Sequence, residues 1–152
     1  HGVENVKDPG KWAMSGFNFR FNDILASIGI EQLKRLPTRV NHLRDLYITY
    51  EQGLRDSLFK IIPVDLNAGE VPVYNEFLVE NREQWMTQLS ANSIELRPFY
   101  PNINTASYLK QTKEKYLNSE PYGKNGIYLP SGPDQSLENV EKVIDVIQEI
   151  SM

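Results

Sequence analysis

Cysteine is absent from the 152 residues, so disulfides, thiolate metal sites and cysteine nucleophiles are all excluded. Histidine is nearly absent. His1 and His42 stand far apart, and neither neighbours a carboxylate cluster at ligand spacing, so the pattern holds no metal site. The chain also lacks a Gly-x-Ser-x-Gly elbow and any glycine-rich phosphate loop. No apolar run is long enough for a bilayer span and no signal-peptide pattern opens the chain. A cytoplasmic protein with no membrane partner is therefore expected. Basic charge is in deficit too. The formal net charge of -4 withholds the positive footprint that nucleic acid or an anionic membrane requires. What is present suits one globular domain: 40% hydrophobic and 24% charged residues, over a length able to bury its own core.

The chain opens His1-Gly2-Val3 without a methionine, and polar residues run to Ser15 with no sustained period. This reads as the interior of a longer polypeptide cut at a domain edge, although proteolytic cleavage would give the same pattern. Residues 1–21 are expected to be loop. Asn22 or Asp23 caps a first helix carrying Ile24, Leu25, Ile28, Leu33 and Leu36, which Pro37 should end because proline supplies no backbone donor. Thr38 then caps a second helix, with Val40, Leu43, Tyr47, Tyr50 and Leu54 advancing by threes and fours along one seam.

Residues 71–80 alternate, with Val71, Val73, Phe77 and Val79 on one face and Glu76 and Glu80 on the other, the pattern of a half-buried strand. Asn81 with Gln84 resembles a capping box for a short helix ending near Leu89, which Asn92 closes in a left-handed conformation. Residues 94–96 form a candidate strand interrupted by Pro98 and Pro101. Two weak helical pieces follow, over residues 106–111 and 113–117. Gly126-Ile127-Tyr128-Leu129 is a strand closed by Pro130, and Ser136 starts a final helix striped by Val140, Val143, Ile144, Ile147 and Ile150. Helices on one face of a small sheet satisfy this order, giving an α+β domain.

No catalytic constellation is visible, and anion recognition is what remains. Asn18 and Arg20 in the opening loop are residue types that hold phosphate, and a nearby helix N-terminus adds its own pull on negative charge. Arg97 precedes Pro98-Phe99-Tyr100-Pro101. Each arginine is equally at home pairing with a surface carboxylate. Both lie on expected loops and both are flanked by aromatics able to desolvate a ligand. The alternation of Phe17, Phe19 and Phe21 fits an extended arm packed on another domain just as well.

The pattern Gly16-x-Asn18-x-Arg20, followed by Asp23, Ala26, Gly29 and Gln32-Leu33, resembles the DegT/DnrJ/EryC1/StrS family of pyridoxal-phosphate-dependent nucleotide-sugar aminotransferases. His1-Gly2 resembles the His-Gly after that family's cofactor-lysine segment, and Trp12 precedes the Gly-x-Asn-x-Arg loop as an aromatic often does there. Arg97-Pro98-Phe99-Tyr100-Pro101 is similar to the Arg-Pro-Phe-Phe-Tyr-Pro loop of perosamine-synthase-like members. Gly126-Ile127-Tyr128-Leu129-Pro130-Ser131-Gly132 resembles the family's closing strand and Leu-Pro turn. The correspondence runs in order along essentially the whole chain.

The resemblance implies the small C-terminal α+β domain of a fold-type-I aminotransferase, helices packed on a small, mostly antiparallel sheet. Residues 1–21 would be a loop entering from a large cofactor domain, and residues 22–152 the small domain. It implies pyridoxal 5'-phosphate in the full-length enzyme, glutamate as amino donor, a nucleotide-linked 4-keto-6-deoxyhexose as acceptor and a homodimer. Asn18 would reach the cofactor phosphate of the neighbouring subunit. Arg20, Arg97, Tyr100 and Asn104 would face the substrate, with Asn104 standing where many members carry histidine or serine. Catalytic residues, the anchoring lysine above all, would lie upstream, leaving the fragment alone inactive. Two other readings stand beside this one: a sugar dehydratase of the same family, with histidine in place of that lysine, and a binding or assembly module without catalysis.

Overall fold

The computed structural model describes residues 22–109 and 116–151, in two compact units that meet in sequence at Pro37. The described part of the first unit is the start of helix α1 (Asp23–Gly53). Asn22 caps it as expected: its Oδ1 accepts the Leu25 amide at 2.9 Å and its carbonyl accepts that of Ala26. Pro37 does not end the helix. It lies inside α1, which runs on through Thr38 to Gly53, so the expected pair of helices is one. A proline inside a helix removes one hydrogen bond and costs about 3 kcal/mol, a local penalty that helix on both sides can outweigh. The penalty falls where the two units divide.

In the second unit the seam on α1 is buried at Leu46, Tyr47 and Tyr50 and continues to Leu54. Strand β1 (Lys60–Ile61) pairs with β2 (Asn75–Leu78), and β2 pairs with β4 (Gly126–Leu129). Strand β3 (Arg97–Pro98) forms the far edge, giving a sheet of order β1-β2-β4-β3 that is antiparallel throughout. Pro98 is tolerated there because an edge strand need not donate on its outer side. Helices α1, α2 (Arg82–Ala91) and α4 (Leu137–Ser151) all contribute to one core with Phe77, Ile127 and Leu129 of the sheet. Helix α3 (Glu120–Asn125) leads into β4. The α+β expectation therefore holds, with helices packed against one sheet face.

The core is aromatic at its centre. Phe59 stands edge-on to Trp85 at 4.9 Å between centroids, and Tyr50 meets Phe77 edge-on at 5.9 Å. Tyr50 is fully buried, and its hydroxyl donates to the Pro130 carbonyl at 3.0 Å. Burial pushes that phenol far above its usual pKa, so it stays a neutral donor. Gly53 makes close helix packing possible, since a Cβ there would meet the Ile144 side chain at 2.6 Å. Ser136 caps α4 through its hydroxyl, 3.1 Å from the Asn139 amide.

Several local expectations are corrected. Residues 71 and 73 remain exposed because β2 begins only at Asn75, so the buried alternation is Asn75, Phe77, Val79. Asn81 makes no side-chain cap. It adopts φ 55° itself and offers its carbonyl to the amides of Gln84 and Trp85. At the other end of α2 the left-handed residue is Ser93 (φ 61°), not Asn92. The amides of Ser93 and Ile94 return to the carbonyls of Ser90 and Leu89, a Schellman closure with Ile94 packed on the core. Residues 94–96 form no strand. After a short 3-10 turn (Ile103–Thr105), the helix before β4 is α3, later than expected. Most of the expected piece over residues 113–117 lies outside the described residues.

Two stability outcomes follow from this packing. Tyr50→Phe strands the Pro130 carbonyl and should cost about 1–2 kcal/mol in urea unfolding. Ser93→Gly relieves a side chain held at positive φ and should raise stability by roughly 0.5–1 kcal/mol in the same measurement.

Candidate functional site: an aromatic shelf on the sheet

Side chains alternate across a strand, so burial of Phe77, Ile127 and Leu129 turns their neighbours to the opposite face. The register then places Glu76 of β2 directly opposite Tyr128 of β4, and Tyr128 directly opposite Arg97 of β3. Directly opposed residues share a face. Glu76, Tyr128 and Arg97 thus form one row across three strands, away from the core. Tyr74 and Phe99, each two residues along, extend the row on either side.

The rings are contiguous. Tyr74 and Tyr128 lie 5.2 Å apart between centroids, and Phe99 lies 4.5 Å from Tyr128 at an interplanar angle of 32°. Phe99 lies this low because residue 126 is glycine. A Cβ there would fall well inside van der Waals contact of the Phe99 ring and of the Tyr122 carbonyl. Arg82 fixes the strand's start, its Nη1 donating to the carbonyls of Gly123 and Gly126 at 3.0 and 3.2 Å. Arg97 is oriented from the other side: its guanidinium donates to the Tyr100 hydroxyl and sits 5.1 Å from the centre of that ring.

Neither charged group of the row has an ion-pair partner among the described residues, whose salt bridges join Lys34 to Glu31, Arg82 to Glu83 and Lys142 to Glu138. Glu76 is half-buried, and burial raises its carboxyl above the usual range. Burial also raises the Tyr128 phenol, the Glu76 charge raises it further, and Arg97 pulls it back. A planar ring lies between an unpaired carboxylate and an unpaired guanidinium, all facing solvent. Such a surface can stack a flat ligand, accept from donors at one end and bind an anion at the other.

Of the residues expected to form a site, Arg97 and Tyr100 are brought into direct contact. Asn104 sits on the 3-10 turn, half-buried, and makes no side-chain hydrogen bond to either of them. Asn18 and Arg20 lie outside the described residues. Tyr74, Glu76 and Tyr128 were not expected. Their signal was present in the sequence as the positions of opposite parity to Phe77 and Ile127.

Residues 1–148 match the DegT/DnrJ/EryC1/StrS aminotransferase family. The chain belongs to this family. It is 26% identical over 141 residues to the GDP-perosamine synthase of Escherichia coli O157:H7, a match covering 88% of this chain and 37% of that enzyme. Helicobacter pylori PseC, an aminotransferase involved in the biosynthesis of pseudoaminic acid, superposes with a TM-score of 0.78 at 20% identity, over 99% of this chain and 43% of that one. The E coli GDP-4-keto-6-deoxy-D-mannose-3-dehydratase with bound hydrated PLP gives 0.72 at 22% identity, over 91% of this chain and 38% of that one. The fold is thus that of the small α+β domain of such enzymes, and the chain spans less than half the length of these relatives. Pyridoxal phosphate is the cofactor these likenesses support for the full-length enzyme.

The raised carboxyl gives a pH test. A group whose folded pKa exceeds its unfolded one stabilises the fold while protonated, and that stability is lost as pH rises through the folded value. Glu76→Gln, which cannot ionise, should therefore raise the melting temperature at pH 7. The gain should vanish below about pH 4, where the unfolded carboxyl is protonated as well. Paired thermal melts at the two pH values measure it.

Proposed function

We propose that this chain is the C-terminal part of a pyridoxal-phosphate-dependent aminotransferase that moves an amino group from glutamate to the keto group of a nucleotide-linked 4-keto-6-deoxyhexose. The observation that carries this reading is the contact by which Tyr100 orients Arg97 at one end of the solvent-facing shelf, in a chain whose family is settled by its match over residues 1–148. A planar guanidinium suits the oxygens of a diphosphate, and the neighbouring rings shed water from around it. Arg20 and Asn104 are assigned to the same substrate. Asn18 is assigned to the cofactor phosphate held by the partner subunit of a homodimer. The enzyme is placed in the cytoplasm, and no helix among the described residues is long and apolar enough to cross a membrane.

Bound pyridoxal phosphate supplies the electron sink for amino transfer. The described residues do not form its cradle. Lys34, Lys60, Lys124 and Lys142 are all exposed, whereas an anchoring lysine needs a site that lowers its pKa. No step is therefore assigned through the cofactor on these residues, and the 152-residue chain by itself is expected to be inactive. The part assigned to them is to hold and orient the substrate.

A second reading has a specific observation behind it. Among the relatives is a GDP-4-keto-6-deoxy-D-mannose 3-dehydratase, 24% identical over 157 residues. The two readings separate in one assay. The full-length protein, loaded with cofactor and given glutamate, should convert a nucleotide-linked 4-keto-6-deoxyhexose to the amino sugar. Arg97→Met should lower kcat/KM at least about tenfold through loss of a charged contact. Loss of the 3-hydroxyl without amination assigns the dehydratase. Neither product from any keto-sugar, despite bound cofactor, refutes both.

A further inference from the structure

We propose that the aromatic shelf reads the base of the nucleotide, and that Glu76 selects guanine. The proposal deepens the nucleotide-sugar reading and rests on it.

The contiguous rings of Tyr74, Tyr128 and Phe99, tilted from one another by 58° and 32°, make a stepped apolar surface across three strands, on which a base can stack against one ring at a time. Bases stack on such surfaces whatever their identity, because each has a π-face. Selection must come from the polar groups at the margin, and there the shelf is asymmetric. At one end the Glu76 carboxylate has no counter-charge among the described residues. At the other the Arg97 guanidinium is held by Tyr100 and likewise pairs with no carboxylate. Two strand spacings, about 10 Å, separate their backbones. That suits a nucleotide lying across β4, with its base edge toward β2 and its phosphates toward β3.

The carboxylate decides the base. An ionised glutamate only accepts hydrogen bonds, through two oxygens side by side. Guanine alone among the common bases presents two adjacent donors, N1–H and N2–H, on its Watson–Crick edge. Uracil and thymine present one N3–H between two carbonyls, and those oxygens would face the carboxylate at close range. Adenine and cytosine pair one amino group with a ring nitrogen acceptor. A site built to accept from two donors rejects the base lacking them, because its own oxygens are left unpartnered. Donors from guanine also offset the cost of the charged form in this half-buried setting. The amino donor would satisfy the two charges as well, with its ammonium at Glu76 and its carboxylate at Arg97. It has no planar body to cover the three rings, so the nucleotide is favoured.

Isothermal titration of the full-length protein with GDP, dTDP and UDP tests this. The wild type should bind GDP at least about tenfold more tightly than either pyrimidine diphosphate. Glu76→Gln, of the same size, should lower that preference at least about tenfold while changing dTDP binding little. Tyr128→Leu should weaken all three together. Equal or reversed preference in the wild type overturns the proposal, as does an unchanged preference in Glu76→Gln. A Glu76→Gln variant that loses affinity for L-glutamate but not for GDP assigns the shelf to the amino donor and also overturns it. Failure of the function reads differently: amination of a dTDP-linked keto-sugar at least as efficiently as of its GDP-linked counterpart keeps the aminotransferase and refutes guanine selection, whereas Glu76-dependent GDP preference without turnover does the reverse.

Discussion

The pairing of β2 with β4 is the constraint on which both faces of this domain depend. Phe77 opposite Ile127 sets the core face, and Glu76 opposite Tyr128 then sets the other. Because the strand period is two, these cannot be chosen separately. A slip of one residue would carry Phe77 out to solvent and Glu76 into the core, where an unpaired carboxylate is costly. The hydrophobic requirement for burying Phe77, Ile127 and Leu129 under α1, α2 and α4 thus fixes where the shelf's polar groups stand. Packing energy on one side holds the geometry of the polar and aromatic row on the other.

That coupling explains features that make little sense as stability alone. Glycine inside a strand forgoes side-chain packing, and here it lets Phe99 lie over β4 beside Tyr128. Glu76 is half-buried with no ion-pair partner among the described residues, although exposed pairs such as Lys142 with Glu138 form elsewhere at 2.7 Å. Burial of an ionisable group without a partner lowers stability at neutral pH. Groups kept in that condition are concentrated where a ligand completes them. Arg97 fits the same logic, since its bond to Tyr100 orients the guanidinium without neutralising it.

Much of this was legible in the sequence where one physical rule acts alone. The cap at Asn22, the stripe on α4 and the short strand before Pro130 follow from single local signals, and all three are present. Where two rules compete, the sequence misleads. Pro37 is a helix breaker by local chemistry, yet α1 continues through it. Asn81 has the residue type of a side-chain cap, but its own left-handed backbone puts its carbonyl in that role instead. Ser93 takes a conformation usually left to glycine, because the closure of α2 brings Ile94 onto the core.

The site was legible in halves for a related reason. Arg97 and Tyr100 are close in sequence, so their contact could be suspected from one short motif. Glu76 and Tyr128 are 52 positions apart in number, and only the register joins them. Strand parity alone places each on the outer face, but it cannot say which strands are neighbours. The order β1-β2-β4-β3 makes β4 the centre of the row, so a tyrosine unremarkable in sequence becomes the residue every other member of the shelf touches or faces. Any ligand laid across this sheet must rest on Tyr128, and the two charges beside it then determine which end of the ligand goes where.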